Sequence, residues 1–151
     1  MIFQINQDMI RNGDVILSTV PIDIISASIR VATRSRYSHA SLVVDIEQGL
    51  CIEAVGVGVR HFSIKRVLIH SKRNVGVFRH KSATPKQLLE VCRCAQNNMQ
   101  KKYSTTAAVA SWLWPAPIVI PYDSAFCSYL VAAAFSEAHL LLSEKEASNL
   151  H

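Results

Sequence analysis

Apolar and polar positions form short runs through the first two thirds of the chain, a pattern typical of β-strands. The runs are bounded by turn-forming segments such as residues 45–49, which are rich in polar residues and end in glycine. This pattern predicts strands at residues 15–18, 39–44, 50–55 and 75–79, and residues 57–62 are expected to continue the strand at 50–55.

Apolar residues at helical spacing predict helices on both sides of these strands. Residues 21–33 carry one apolar stripe, and residues 63–70 are predicted to form a short helix. Thr84-Pro-Lys-Gln87 is a helix start, with threonine as N-cap, proline at the first helical position and glutamine where a capping box needs it. A last helix is predicted to begin at Tyr122, capped by Asp123 or Ser124.

These elements predict an α+β fold with a central antiparallel sheet flanked by helices. With 151 residues, half of them hydrophobic, the chain is long enough to bury a core, and we expect a single domain over residues 1–151. The formal net charge is +5. A mild basic excess favours anionic partners, but the cations are scattered and no aromatic-interleaved basic block occurs, so nucleic-acid binding is not expected.

The N-terminus lacks the basic region, long apolar run and small-residue cleavage site of a signal peptide. The longest apolar stretch, residues 107–120, contains two prolines and is shorter than the roughly 20 residues that span a bilayer. We therefore expect a cytoplasmic protein, or one exported by a signal-independent secretion system. The part from Trp112 to Ile120 is a candidate for peripheral membrane contact.

The chain has four cysteines: Cys51, Cys92, Cys94 and Cys127. A chain of this size does not need disulfides, and Cys92 and Cys94 are too close in a helical pattern to pair or to match the common zinc-knuckle spacing. We expect both to be small buried apolar residues, and no metal or cofactor is predicted.

Three residues together have the chemistry of a cysteine hydrolase. Cys127 is expected in the first turn of the last helix, where free N–H groups favour a thiolate. His39 begins a strand after a polar loop and can serve as a base. If residues 45–49 form a five-residue loop, Glu53 becomes its diagonal neighbour and can orient the imidazole. Taken alone, Cys127 is more consistent with a core cysteine, and His39 is equally consistent with a hydrogen-bonded histidine at a sheet edge. The alternative for Glu53 is a solvent-facing strand residue.

The order of these residues resembles that of a known family. Gly13-Asp-Val-Ile-Leu17, Ser35-Arg-Tyr-Ser-His-Ala-Ser-Leu-Val-Val44, Ile52-Glu-Ala54 and Phe126-Cys-Ser-Tyr-Leu-Val131 resemble the YaeF/YiiX-like proteins, circularly permuted relatives of NlpC/P60 peptidases. The resemblance implies a permuted papain-like fold and a cysteine hydrolase. It matches Cys127 to the nucleophile, His39 to the catalytic histidine and Glu53 to the acidic orienter.

Three functions from different classes remain open. The first is an amidase or peptidase acting on peptidoglycan stem peptides, with an antibacterial effector role as one option. The second is a lipid-directed acyltransferase or thioesterase, favoured by the apolar Trp-Pro stretch and the basic charge. The third is a non-catalytic binding module, which would not need a thiol at position 127.

Overall fold

The computed structural model describes residues 7–19, 30, 34–55, 58–68, 74–99 and 122–142, with residues 122–126 as backbone only. Most of the predicted helix at residues 21–33 and the whole stretch from Trp112 to Ile120 lie outside these ranges. The described elements are a short 3₁₀ helix (Gln7–Met9), β1 (Val15–Ser18), β2 (His39–Asp45), β3 (Leu50–Val55), β4 (Gly58–Ser63), α1 (Lys65–Leu68), β5 (Val75–Phe78), α2 (Pro85–Asn98) and α3 (Tyr122–Glu137).

The five strands form one antiparallel sheet in the order β4-β3-β2-β1-β5. The predicted strands are confirmed to within a residue, with one correction. Residues 57–62 were expected to continue β3, but Gly58–Ser63 form a separate strand, β4. Val55 pairs with Gly58, so the chain reverses between them and β4 runs back along β3.

The pairing of β2 with β3 brings two of the candidate residues to the same part of the sheet. Ser41 lies opposite Glu53 and Leu42 opposite Ile52, and the register shifts by one residue between Val43 and Asp45. Continued to the start of β2, this register sets His39 opposite Val55, which makes Glu53 its diagonal neighbour. The expected register is therefore confirmed. It arises from a loop one residue shorter than expected, since Asp45 already pairs with Leu50, together with a bulge that shifts the pairing by one residue.

Helices pack on both faces of the sheet. On one face, Ala40, Leu42, Ile52 and Ala54 pack against the apolar sides of α2 and α3. The other face carries a smaller core with Ile16, Val43, Cys51 and Phe62. This core is covered by Ile10, by Ile64 and by Val67, which lies on α1. This arrangement confirms the α+β class and the flanked antiparallel sheet. In the part of the chain that the structure describes, no helix is long and apolar enough to cross a membrane.

The start of α2 follows the sequence prediction closely. Thr84 is the N-cap, its side-chain oxygen accepts from the N–H of Gln87, and the Gln87 side chain accepts from the N–H of Thr84. Val91, Cys92, Cys94 and Ala95 are buried against the sheet. Both cysteines thus have the predicted place in the core, and all four cysteines of the chain are free thiols.

Candidate active site

His39 is the first residue of β2, so its ring lies at the end of the sheet. Nε2 of the ring is 2.8 Å from Oε2 of Glu53. The side chain of His39 is mostly buried, and that of Glu53 is only 5% exposed. Because a buried carboxylate is costly unless it is paired and hydrogen-bonded, this contact with His39 is one of those on which Glu53 depends.

The second oxygen of Glu53 faces two arginines. Nε and Nη2 of Arg60 lie 2.8 and 2.7 Å from Oε1, and Nη1 of Arg66 lies 3.2 Å from the same atom. Glu53 therefore uses one oxygen for the imidazole and the other for guanidinium groups. Neither arginine was predicted from the sequence to lie at this site. The signal that would have found them is the β3–β4 hairpin, because it places Arg60 directly opposite Glu53.

Cys127 lies on α3 and is almost completely buried, in the core cluster that includes Ala40 and Ala54. Its thiol is hydrogen-bonded to the side chain of His39. Since Nε2 of His39 is occupied by Glu53, Nδ1 is the ring nitrogen left for the thiol. The structure thus brings the three predicted residues together, in the order thiol, imidazole, carboxylate.

The position of Cys127 within its helix differs from the prediction. The helix begins at Tyr122, so Asp123 and Ser124 lie inside it and Cys127 is in the second turn. Only the first four N–H groups of a helix lack an intrahelical partner, and the macrodipole acts mainly within the first turn. The expectation of free N–H groups around Cys127 was therefore wrong.

The hydrogen bonds at both ends of the imidazole change its protonation. Burial alone would lower the pKa of His39, but the bonds to Cys127 and Glu53, with their charges, outweigh burial and raise the pKa to about 9. Burial would raise the pKa of Glu53, but His39, Arg60 and Arg66 lower it to about 2. At neutral pH the pair is therefore an imidazolium beside a carboxylate, which suits a neighbouring thiolate.

Two of the other cysteines have a different electrostatic environment. Burial, with a contribution from the charge of Glu53, raises the pKa of the Cys51 thiol to about 12. Burial also raises the pKa of Cys92 to about 11, and its thiol donates to the carbonyl oxygen of Val43. These two thiols stay protonated at neutral pH, as expected of structural cysteines.

A family model matches nearly the whole chain. Residues 9–150 match the family model described as permuted papain-like amidase enzyme, YaeF/YiiX, C92 family. No curated protein and no solved structure was found to match the chain. The match covers nearly the whole sequence, confirms the resemblance carried by the motifs and agrees with the α+β architecture. The chain therefore belongs to the permuted papain-like amidases of the YaeF/YiiX family, which are cysteine hydrolases.

Proposed function

We propose that the protein hydrolyses amide bonds with a Cys127–His39–Glu53 triad, in which Cys127 is the nucleophile, His39 the acid and base, and Glu53 the orienter. The observation that carries this proposal is the chain of hydrogen bonds from the Cys127 thiol through the His39 ring to the Glu53 carboxylate. A nucleophile bonded to a base that is itself oriented by a third group is the arrangement that covalent catalysis requires.

In the first step, the Cys127 thiolate attacks the carbonyl carbon of the amide and a carbon–sulfur bond forms. The His39 imidazolium then donates its Nδ1 proton to the leaving nitrogen. The carbon–nitrogen bond breaks, the amine departs, and the acyl group remains on Cys127 as a thioester. The raised pKa of His39, about 9, keeps this proton available at neutral pH.

In the second step, neutral His39 takes a proton from a water molecule, whose oxygen attacks the thioester carbon. The carbon–sulfur bond breaks and the carboxylic acid leaves, losing its proton to solvent. Cys127 returns as thiolate and His39 as imidazolium, so the enzyme is restored. Glu53 remains ionised throughout, because its pKa of about 2 lies far below the working range. Its role is to hold the ring and stabilise the imidazolium.

For the substrate, we propose the amide bonds of peptidoglycan stem peptides. The support is the amidase activity of the family, together with the resemblance of the motifs to NlpC/P60 peptidases. The net charge of +5 suits an anionic polymer such as the cell wall. Since stem peptides lie outside the cytoplasmic membrane, this function requires export, and an antibacterial effector delivered by a secretion system fits that requirement.

The test is incubation of the purified protein with muropeptides, with mass spectrometry of the products. We expect a cleavage that adds one water across an amide bond and that is lost in Cys127→Ala. Acyl esters and phospholipid vesicles are incubated in parallel. If only these are consumed, and Cys127→Ala abolishes their consumption, the triad assignment stands but the wall substrate is wrong. Undiminished muropeptide cleavage by Cys127→Ala would exclude the triad itself.

A further inference from the structure

The oxygen of Glu53 that faces away from His39 is held from two different elements. Arg60 lies directly opposite Glu53 on the neighbouring strand β4, and both its Nε and Nη2 contact Oε1. Arg66 comes from helix α1, which packs on the same face, and reaches Oε1 through Nη1. The carboxylate plane is therefore constrained from the strand and from the helix at once.

Arg66 is itself anchored by an aromatic ring. Its guanidinium carbon lies 5.6 Å from the ring centroid of Phe62, a buried residue of β4. Such a cation–π contact limits the rotation of a long side chain that would otherwise sample many rotamers. The side chains of Arg60 and Arg66 are 43% and 44% exposed. The two cations thus remain half solvated while the carboxylate they contact is buried.

This asymmetry distinguishes these pairs from ordinary surface ion pairs. An exposed pair such as Arg93 with Glu90 on α2, at 2.6 Å, contributes little to stability, because both groups remain solvated. Here the acceptor has lost its water and must be compensated by protein groups. The groups that face Glu53 are the His39 ring, the two guanidinium groups and, from its own strand, the Cys51 thiol. Arg60 and Arg66 supply the fixed cations of this set, since His39 changes charge during the reaction.

We propose that Arg60 and Arg66 are positioning residues that act through Glu53, fixing one carboxylate oxygen so that the other stays on Nε2 of His39. The inference rests on the proposed function insofar as Glu53 orients the imidazole. Under this proposal, the group that orients the imidazole consists of three residues, Glu53, Arg60 and Arg66. The guanidinium atoms that contact Glu53 are engaged by a buried carboxylate, so this proposal gives them no role in substrate binding.

The experiment measures the protonation of Glu53 directly, by the pH titration of its side-chain carboxyl carbon in ¹³C NMR. The signal is assigned by its loss in Glu53→Gln. In the double variant Arg60→Gln/Arg66→Gln we expect the midpoint to rise by roughly 1–3 pH units, because removing an opposite charge at this distance has that effect. Each single variant should give part of the rise. Since both side chains are nearly half exposed, the fold should survive.

A second readout reports the position of the carboxylate. The ring proton shared between His39 and Glu53 should give a low-field ¹H signal in the wild type, and it should weaken or disappear in the double variant. Arg93→Gln is the matched control, since it removes a guanidinium group from an exposed carboxylate, and it should change neither signal. The double variant Arg60→Lys/Arg66→Lys keeps both positive charges. Its Glu53 midpoint should therefore lie much closer to that of the wild type than to that of Arg60→Gln/Arg66→Gln.

Two results would overturn the inference. One is a Glu53 midpoint and a ring-proton signal that are unchanged in the double variant. The other is an effect on muropeptide cleavage that appears only in KM and adds fully to that of Glu53→Gln, which would mean that the arginines bind an anionic substrate. Neither NMR readout uses a substrate. A failure of the wall hypothesis therefore appears as absent muropeptide cleavage in the product assay, whereas the spectra test this inference whether or not muropeptides are cleaved.

Discussion

Nε2 of His39 and Oε2 of Glu53 lie 2.8 Å apart in a mostly buried environment, and this contact links the chemistry of the site to its pH dependence. The imidazolium is stabilised by the carboxylate on one side and by the Cys127 thiol on the other. Because the stabilised form is the charged one, the imidazolium is present at neutral pH, and in the proposed mechanism it protonates the leaving group.

The first prediction concerns the alkaline limb of the activity profile. With the pKa of His39 raised to about 9, kcat/KM should fall as the pH passes about 9, because the imidazolium that protonates the leaving amine is lost. In Glu53→Gln this limb should move to lower pH, since an amide stabilises the imidazolium less than a carboxylate does. A profile measured from neutral to alkaline pH checks both expectations. An alkaline limb at the same pH in both proteins would remove Glu53 from the triad.

The second prediction concerns the reactivity of the thiols. Near pH 6, iodoacetamide should alkylate Cys127 faster than the other three cysteines, because only Cys127 has an imidazolium as hydrogen-bond partner among the cysteines that the structure describes. Peptide mass spectrometry of briefly labelled protein measures this. His39→Gln is the control and should remove the advantage of Cys127. Equal labelling of all four thiols in the wild type would show that Cys127 is not activated.

The third prediction concerns stability at acid pH. A carboxyl group whose pKa is lowered on folding stabilises the protein above its ordinary pKa, and this stabilisation is lost as the pH falls through the folded value. For Glu53 the pKa falls from 4.5 to about 2 on folding, so the stabilisation is lost between these two pH values. A shift of this size corresponds to about 3 kcal/mol in the free energy of unfolding. Urea unfolding at both ends of this window should show the loss. In Glu53→Gln that part of the pH dependence should disappear, whereas Glu90→Gln, at an exposed pair, should retain it.

The sequence predicted those parts of the site that depend on local pattern. The strand positions together with an assumed five-residue loop at residues 45–49 placed Glu53 beside His39, and the observed register gives the same neighbours. The capping box at Thr84 was equally local, since all its groups lie within one helical turn. The bulge after Val43 is part of that outcome, because without it the pairing of Asp45 with Leu50 would set Leu42, rather than Ser41, opposite Glu53.

The features that depend on tertiary contacts were not predicted. The apolar pattern of residues 57–62 is compatible with a continued strand or with a hairpin, and only packing against β3 decides between them. Arg60 therefore could not be placed opposite Glu53 from the sequence. The pairing of β5 with β1 is likewise non-local, since Ser18 pairs with Val75 and 56 residues lie between them in the chain. The start of α3 differed from its predicted cap because cap residues also occur inside helices.

The last prediction concerns Gly13 and Asp14, which belong to the motifs shared with the family but lie outside the triad. Gly13 has a φ of +85°, and a Cβ atom there would lie 2.8 Å from Cβ of Leu88 on α2. Asp14 is completely buried, and its carboxylate accepts hydrogen bonds from Nε and Nη2 of Arg79, each at 2.7 Å. Arg79 also donates to the carbonyl oxygen of Met9, so the pair connects the N-terminal segment to the end of β5. These residues therefore have a structural role.

Arg79→Met should lower the free energy of unfolding by about 3–5 kcal/mol, because it leaves a buried carboxylate without its cation. Asp14→Asn/Arg79→Met should recover part of that loss, since the uncompensated charge is then removed as well. Urea unfolding measures both variants, and Arg93→Met, at an exposed ion pair, is the control and should change the free energy of unfolding much less than Arg79→Met does. The alkaline limb of activity should stay near pH 9 in the folded fraction of every variant, because none of these residues contacts His39 or Glu53 among the described contacts. A shifted limb in Arg79→Met would show that this ion pair also acts on the catalytic residues.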